Sequence, residues 1–215
     1  MKLPIMSLLL AGVVLTGCQS VPFRPCHADP ERQEQRSQEL QAIVKADQEG
    51  RAPPVDWQRL LPKDEGRRKR VGEIFGEGCF KTAEDYAAAA LVYQHGDVPD
   101  HFFQTYLWAK QAVELGDSSQ KRLMAMGIDR YLVNTGHRQL FATQASAPTM
   151  DSCYCLEEVE ESFPQERRKS YMGKSVRDAL TWVDSLNEGK AACGPAQLCK
   201  KNLKPTPKGT VPGFW

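Results

Sequence analysis

The residue types that could carry chemistry gather in the middle of the chain. Gln94-His95, Asp129-Arg130 and the run from Gly136 to Gln144 bring together imidazole, carboxylate, guanidinium and side-chain amide groups. Arg130 offers a planar fork suited to a carboxylate or phosphate, and His95 can donate or accept near neutral pH. Gln139 and Gln144 can serve backbone groups or a ligand. On a helical wheel Asp129 flanks the apolar arc of Met124, Ile128 and Leu132, whereas Arg130 lies on another side near Leu123 and Met126. Both are expected to be half-buried, and a half-buried charge wants a partner. Three roles follow for Gln94, His95, Asp129, Arg130, Gln139 and Gln144: a scaffold that fixes helix packing and ties the Gln-rich loop to helix ends, a ligand pocket, or catalysis. The scaffold is the expected one.

Other routes to catalysis have little material. The chain holds four histidines (His27, His95, His101 and His137) and no G-x-S-x-G elbow, H-E-x-x-H pair or phosphate-cradling glycine loop. No catalytic residue is assigned, and no cofactor is expected. Glu157, Glu158, Glu160 and Glu161 could in principle pair carboxylates for glycan cleavage, but clustered acids of this kind are expected to face solvent. Lys plus Arg number 28 against 27 Asp plus Glu, so no net field draws the chain to nucleic acid. Hydrophobic residues at 41% and charged residues at 26% exclude wholesale disorder and a multi-span membrane protein.

The N-terminus carries an address. Lys2 precedes an apolar run from Leu3 to Leu15, too short to span a bilayer and flanked like a secretory signal. Leu15-Thr16-Gly17-Cys18 resembles the bacterial lipobox. That resemblance implies cleavage before Cys18, a diacylglycerol on its thiol and an acyl chain (palmitate or a relative) on its new amine, hence a membrane tether. Gln19-Ser20 lack the Asp that favours inner-membrane retention, so the expected location is the outer membrane, facing the periplasm. Six further cysteines in an oxidising compartment read as disulfides. Cys153 and Cys155 are too close for an easy mutual bridge. The expected pairs are Cys26 with Cys79, and Cys153 and Cys155 with Cys193 and Cys199 in either order. Zinc is the competitor, but C-x-C with C-x5-C is not a common zinc spacing, and no metal is expected.

The elements that must position these residues read as helices. Asp29-Pro30-Glu31 supplies an N-cap, a proline at the first helical position and an acid in the first turn, predicting a helix to about Gln48. Its few apolar residues, Leu40, Ile43 and Val44, make it a solvated helix with one packed turn. Arg51 to Pro62 holds three prolines and reads as loop, anchored by Trp57, Leu60 and Leu61. Lys63 to Glu77 follows as a helix with Arg67, Arg68, Lys69 and Arg70 clustered near its start, where nearby acids must compensate the dipole. Thr82 to Asp85 matches a capping box, Pro99 starts the next helix, and Ser118 or Ser119 caps another ending near Asn134. Tyr171 to Leu186 reads as the last helix. No segment has a convincing period of two. The expected class is all-α, antiparallel hairpins in a small bundle or solenoid-like stack. The division is a signal peptide (1–17), a lipidated tether (18–28), one helical domain (29–199, core 67–144) and a flexible basic tail (200–215).

Two resemblances lie in the core. Trp108, Ala112 and Gly116 have the spacing of Sel1-like and tetratricopeptide helix hairpins, though only about one unit is visible. Gln94-His95, Asp129-Arg130 and Gly136-x2-Gln139-x-Phe141-Ala142-Thr143-Gln144 resemble an uncharacterised family of bacterial helical domains that share Q-H, D-R and G-x2-Q-x-[YF]-G-T-Q in this order. Ala142 stands where that pattern has Gly. This resemblance implies a helical fold and no particular reaction. The expected function is a lipid-anchored periplasmic module that binds a protein partner in the envelope, as an immunity or inhibitor protein or in envelope assembly. The alternative is a small-ligand-binding or hydrolytic domain using His95, Asp129, Arg130 and Gln144.

Overall fold

The structure, a computed structural model, describes residues 25–149 and 151–215. The signal peptide, Cys18 and most of the tether lie outside the described residues. Within them the chain is mostly helical: α1 (Pro30–Glu49), α2 (Trp57–Gly76), α3 (Ala83–Gln94), α4 (Pro99–Glu114), α5 (Lys121–Asn134), α6 (Gln165–Met172) and α7 (Val176–Leu186). Two short strands, β1 (Ala145–Ser146) and β2 (Cys155–Leu156), pair antiparallel.

Local signals set most helix starts. The Asp29 side chain accepts the Arg32 N–H at the head of α1, and Thr82 with Asp85 completes a capping box at α3. At α5 a 3-10 turn over Ser118–Gln120, capped by Asp117, precedes the helix. Short connections fold α3, α4 and α5 back on one another. Gly127 sits at the α4–α5 crossing, where an added Cβ would lie 2.9 Å from the Tyr106 backbone nitrogen and 3.1 Å from the Phe102 carbonyl oxygen. The main core joins Leu40, Val71, Ile74, Ala89, Tyr106 and Ile128 with their neighbours.

Several expectations are corrected. The second helix begins at Trp57 rather than Lys63, with Pro62 inside it. The lost Pro62 N–H leaves the Gln58 carbonyl without its intrahelical donor, on an exposed stretch where solvent is within reach of it. Of the three expected anchors only Leu60 is buried; Trp57 and Leu61 are 53% and 61% exposed. The basic cluster therefore falls in mid-helix. Arg67 pairs with Asp64, Arg68 with Asp97, and Arg70 with Glu39 and Glu73. The last expected helix is two, because Gly173 takes φ 64° and ends α6 before Ser175 and Asp178 cap α7.

The basic tail is not loose. Thr206 and Val211 are buried, and Trp215 meets the Phe163 ring edge-on, with Phe214 tilted beside it, at the edge of the main core. A smaller cluster of Ala142, Leu156, Val159, Ala179 and Val183 supports the region between β1 and α7.

Among the described residues three disulfides brace the fold: Cys26–Cys79, Cys153–Cys193 and Cys155–Cys199. The first ties the entrance of α1 to the exit of α2, and the others hold the strand pair to the segment after α7. Cys26, Glu77 and Cys79 lie close enough to suggest a metal cluster. The two sulfurs are bonded to each other, however, and Glu77 accepts from Arg32 and Arg36. Non-reducing peptide mapping is expected to recover these three linked pairs, and a Cys153–Cys199 fragment would contradict the arrangement. Replacing Cys26 and Cys79 together by Ala should lower stability by about 2–5 kcal/mol, measured by denaturant unfolding.

Candidate functional site

Asp129 and Arg130 are neighbours on α5 that face different tasks. The Asp129 side chain is fully buried. One oxygen, Oδ1, accepts the backbone N–H of Leu140 at 2.7 Å and of Phe141 at 2.9 Å. The other accepts the Thr143 N–H at 3.0 Å and the Thr143 hydroxyl at 2.9 Å. A turn aims these donors at one point, and it does so because Ala142 takes φ 61°, a left-handed conformation that costs a residue with a Cβ roughly 1–2 kcal/mol. Burial pushes the Asp129 carboxyl up to about 6, against the pull of the Phe141, Thr143 and Leu140 N–H donors.

Arg130 turns the other way. Its Nη1 donates to the Gln94 carbonyl oxygen at 2.6 Å, and its Nε donates to Gln144 Oε1 at 3.2 Å. The guanidinium also lies over the Phe102 ring, 5.3 Å from its centroid. It thereby satisfies a carbonyl at the C-terminus of α3, a natural place for a cation. Gln139 is fully buried, and its amide closes the loop: Nε2 donates to the carbonyls of Gln144 and Glu157, and Oε1 accepts the Gln144 N–H.

His95, the C-cap residue of α3, belongs to a separate network. Its Nδ1 lies 3.0 Å from a carboxylate oxygen of Asp47, a buried residue of α1. Burial raises the Asp47 carboxyl, yet hydrogen bonds from His95 and Gln48 and the charge of Arg51 hold it below its ordinary range. Arg51 and Arg67 both reach Asp64, and Arg67 of α2 also donates to the Ala46 carbonyl oxygen of α1 at 2.8 Å, joining the two helices. The six candidate residues thus lie in one region but are not gathered around one cavity.

Gln94 is the exception to this saturation. Its side chain is buried, and neither its amide nitrogen nor its amide oxygen has a hydrogen-bond partner. The residue lines a groove of about 500 Å³ whose walls come from α1, α3 and α5, including Val44, Ala87, Leu91 and Leu123.

Of the four glutamates expected to face solvent, only Glu161 is exposed. Glu157 and Glu160 are buried. Glu157 pairs with Lys201, while Glu160 accepts from Ser162 and from the Thr206 N–H at 2.7 Å. Burial raises the Glu160 carboxyl, and these hydrogen bonds outweigh it and leave it below its ordinary range. Glu158 accepts the N–H groups of Lys201 and Asn202. These acids fasten the C-terminal segment. Sequence reasoning also missed Arg168, a buried residue of α6 whose Nε donates to the Leu140 carbonyl oxygen at 2.6 Å and whose Nη2 donates to that of Glu160. The signal was the lone apolar ring before it, since Phe163 lies under the guanidinium.

Asp129→Asn places an amide among converging donors and should cost about 1–3 kcal/mol, read by thermal or urea unfolding. The folded carboxyl titrates above its ordinary value near 3.8. Its contribution is therefore full below that value and is lost as pH rises through about 6. The stability margin of the natural chain over Asp129→Asn should shrink between these two pH values, and a margin that grows would contradict the assignment. Compared with protein-family models, with curated proteins and with solved structures, the chain matches none.

Proposed function

We propose that this chain is a lipid-anchored binding module of the bacterial envelope, tethered through Cys18 at the outer membrane and facing the periplasm. Its partner is a protein, in an immunity, inhibitory or envelope-assembly role. The observation that carries the reading is the expenditure of polar groups. Asp129, Arg130, Gln139 and Gln144 direct their hydrogen bonds to the protein's own backbone and to one another, so these residues act as scaffold. What is left open is surface relief, a groove between α1, α3 and α5. Three disulfides among the described residues support an exported location. No described helix is long and apolar enough to cross a membrane, and the N-terminal lipid supplies the attachment.

The hydrolytic alternative would draw on His95, Asp129, Arg130 and Gln144. It loses Asp129, which has no exposed surface and accepts four donors. His95 keeps a partly exposed ring backed by Asp47, but that pair needs a nucleophile or substrate-orienting group beside it.

Changing Cys18 to Ser is expected to move the protein from the membrane fraction to the soluble periplasm, or to leave an uncleaved precursor. A Cys18→Ser product of mature size that still sediments with membranes and incorporates labelled palmitate would refute the anchor.

A further inference from the structure

A second, smaller cavity of about 120 Å³ opens where α5, the Ala142 turn and α7 meet. Its apolar wall includes Met126, Phe141, Met172 and Trp182, and its charged lining residues are Arg122 and Lys174. Both cations are exposed, and no acid lines the cavity. Trp182 keeps 37% of its surface open to solvent. Arg122 and Met126 also line the larger groove, so the two depressions share one ridge of α5.

The other arginines of α1, α2, α5 and α6 hold carboxylates, carbonyls or amides, whereas the side chain of Arg122, like that of Arg177 on α7, has no hydrogen bond or ion pair among the described residues; what distinguishes Arg122 is that it lines the cavity. Lys174 has Asp178 of its own neighbourhood in electrostatic reach, but the Asp178 carboxylate is engaged by the Ser175 N–H and hydroxyl. The cavity mouth is thus positively charged over an apolar floor.

We propose that this cavity is the anchor point for the protein partner: it takes one large apolar side chain of a polypeptide segment, and Arg122 with Lys174 holds a carboxylate beside it. This deepens the binding-module reading and rests on it. Size argues for a polypeptide over a free small molecule. Dedicated small-molecule sites run to roughly 300–1,000 Å³, and this cavity is smaller, about right for a single side chain. The remaining contact must come from its surroundings, which the shared ridge provides. An exposed Trp and Arg and two half-buried Met around a small apolar pocket have the composition of an interface anchor. Met126 and Met172 can also adjust to the shape of what enters.

The test uses the mature lipidated protein in detergent and an array of synthetic peptides in which Leu, Met or Phe is flanked by Asp, Asn or Lys. The expected result is preferential capture of the Asp peptides. Arg122→Glu, a change on an exposed side chain, should reverse the preference towards Lys peptides without altering the melting temperature. Trp182→Ala should weaken capture by about tenfold or more. Equal binding of Asp and Lys peptides, no binding of any peptide, or an unchanged preference in Arg122→Glu would overturn the proposal. A photo-crosslinking residue at Lys174, compared with one at Gln41 of α1, which lines the larger groove, separates the two levels of inference in intact cells. Protein adducts at position 41 alone would keep the binding module and remove this cavity, and adducts at neither would remove both.

Discussion

The Asp129 carboxylate is the point on which the second half of the molecule is hung. Residues 140–143 leave the helical core and begin an irregular region, so their N–H groups have neither helix nor sheet to join. A buried N–H without a partner costs free energy comparable to a lost hydrogen bond. Asp129 collects three such groups and the Thr143 hydroxyl at once. The opposite edge of the turn is held by Arg168, which takes the Leu140 carbonyl. Gln139 adds its own backbone bonds to Glu158 and Glu160. The arrangement fixes where the Glu157–Glu160 segment runs, and those glutamates in turn fasten residues 201–206. Loss of one carboxylate would free a chain of dependent segments rather than a single contact.

The helical half was legible because its information is local. A capping box at Thr82, Pro30 after Asp29, and apolar residues at helical spacing each act over a few residues, and the structure uses each of them. The errors came where a local signal was outvoted by packing. Pro62 reads as a breaker, yet an exposed position in an otherwise well-packed helix tolerates it. The tail shows no acid and three prolines, the composition of a loose segment. Its partners are acids some 45 residues earlier in sequence, and no composition window contains both. The candidate site divides in the same way. That Asp129 would seek a partner was readable from its place on the helical wheel, but that the partner would be the backbone of residues 140–143 depends on a turn whose geometry is set at Ala142.

Charge placement separates structure from surface. Most arginines near the core are spent in tying elements together, often where burial makes an unpaired charge expensive. Arg51 and Arg67 converge on Asp64, Arg36 and Arg70 on Glu39. An arginine at the surface has no such need, because water solvates it well. Its location next to an apolar cavity is therefore informative only through its surroundings. The Arg122 surroundings contain an exposed aromatic ring, half-buried thioether groups and no carboxylate lining the cavity, a combination that leaves both its charge and its apolar neighbours open to a partner.

The position of that cavity follows from how the fold is braced. The cluster around Leu156 and Val183 is small, and small cores seldom hold a segment in place without added constraints. Two of the three disulfides fall in this region, joining the strand pair to Cys193 and Cys199. They limit the freedom of β2 and the chain beyond α7, against which α7 packs. The cavity sits on the seam between this braced part and the helical core, with α5 on one side and α7 on the other. A surface assembled across such a seam would normally lose affinity by having to order itself on binding. Here the Asp129 turn forms the floor between the two walls, and the cross-links hold the far wall, so the relief exists before any partner arrives.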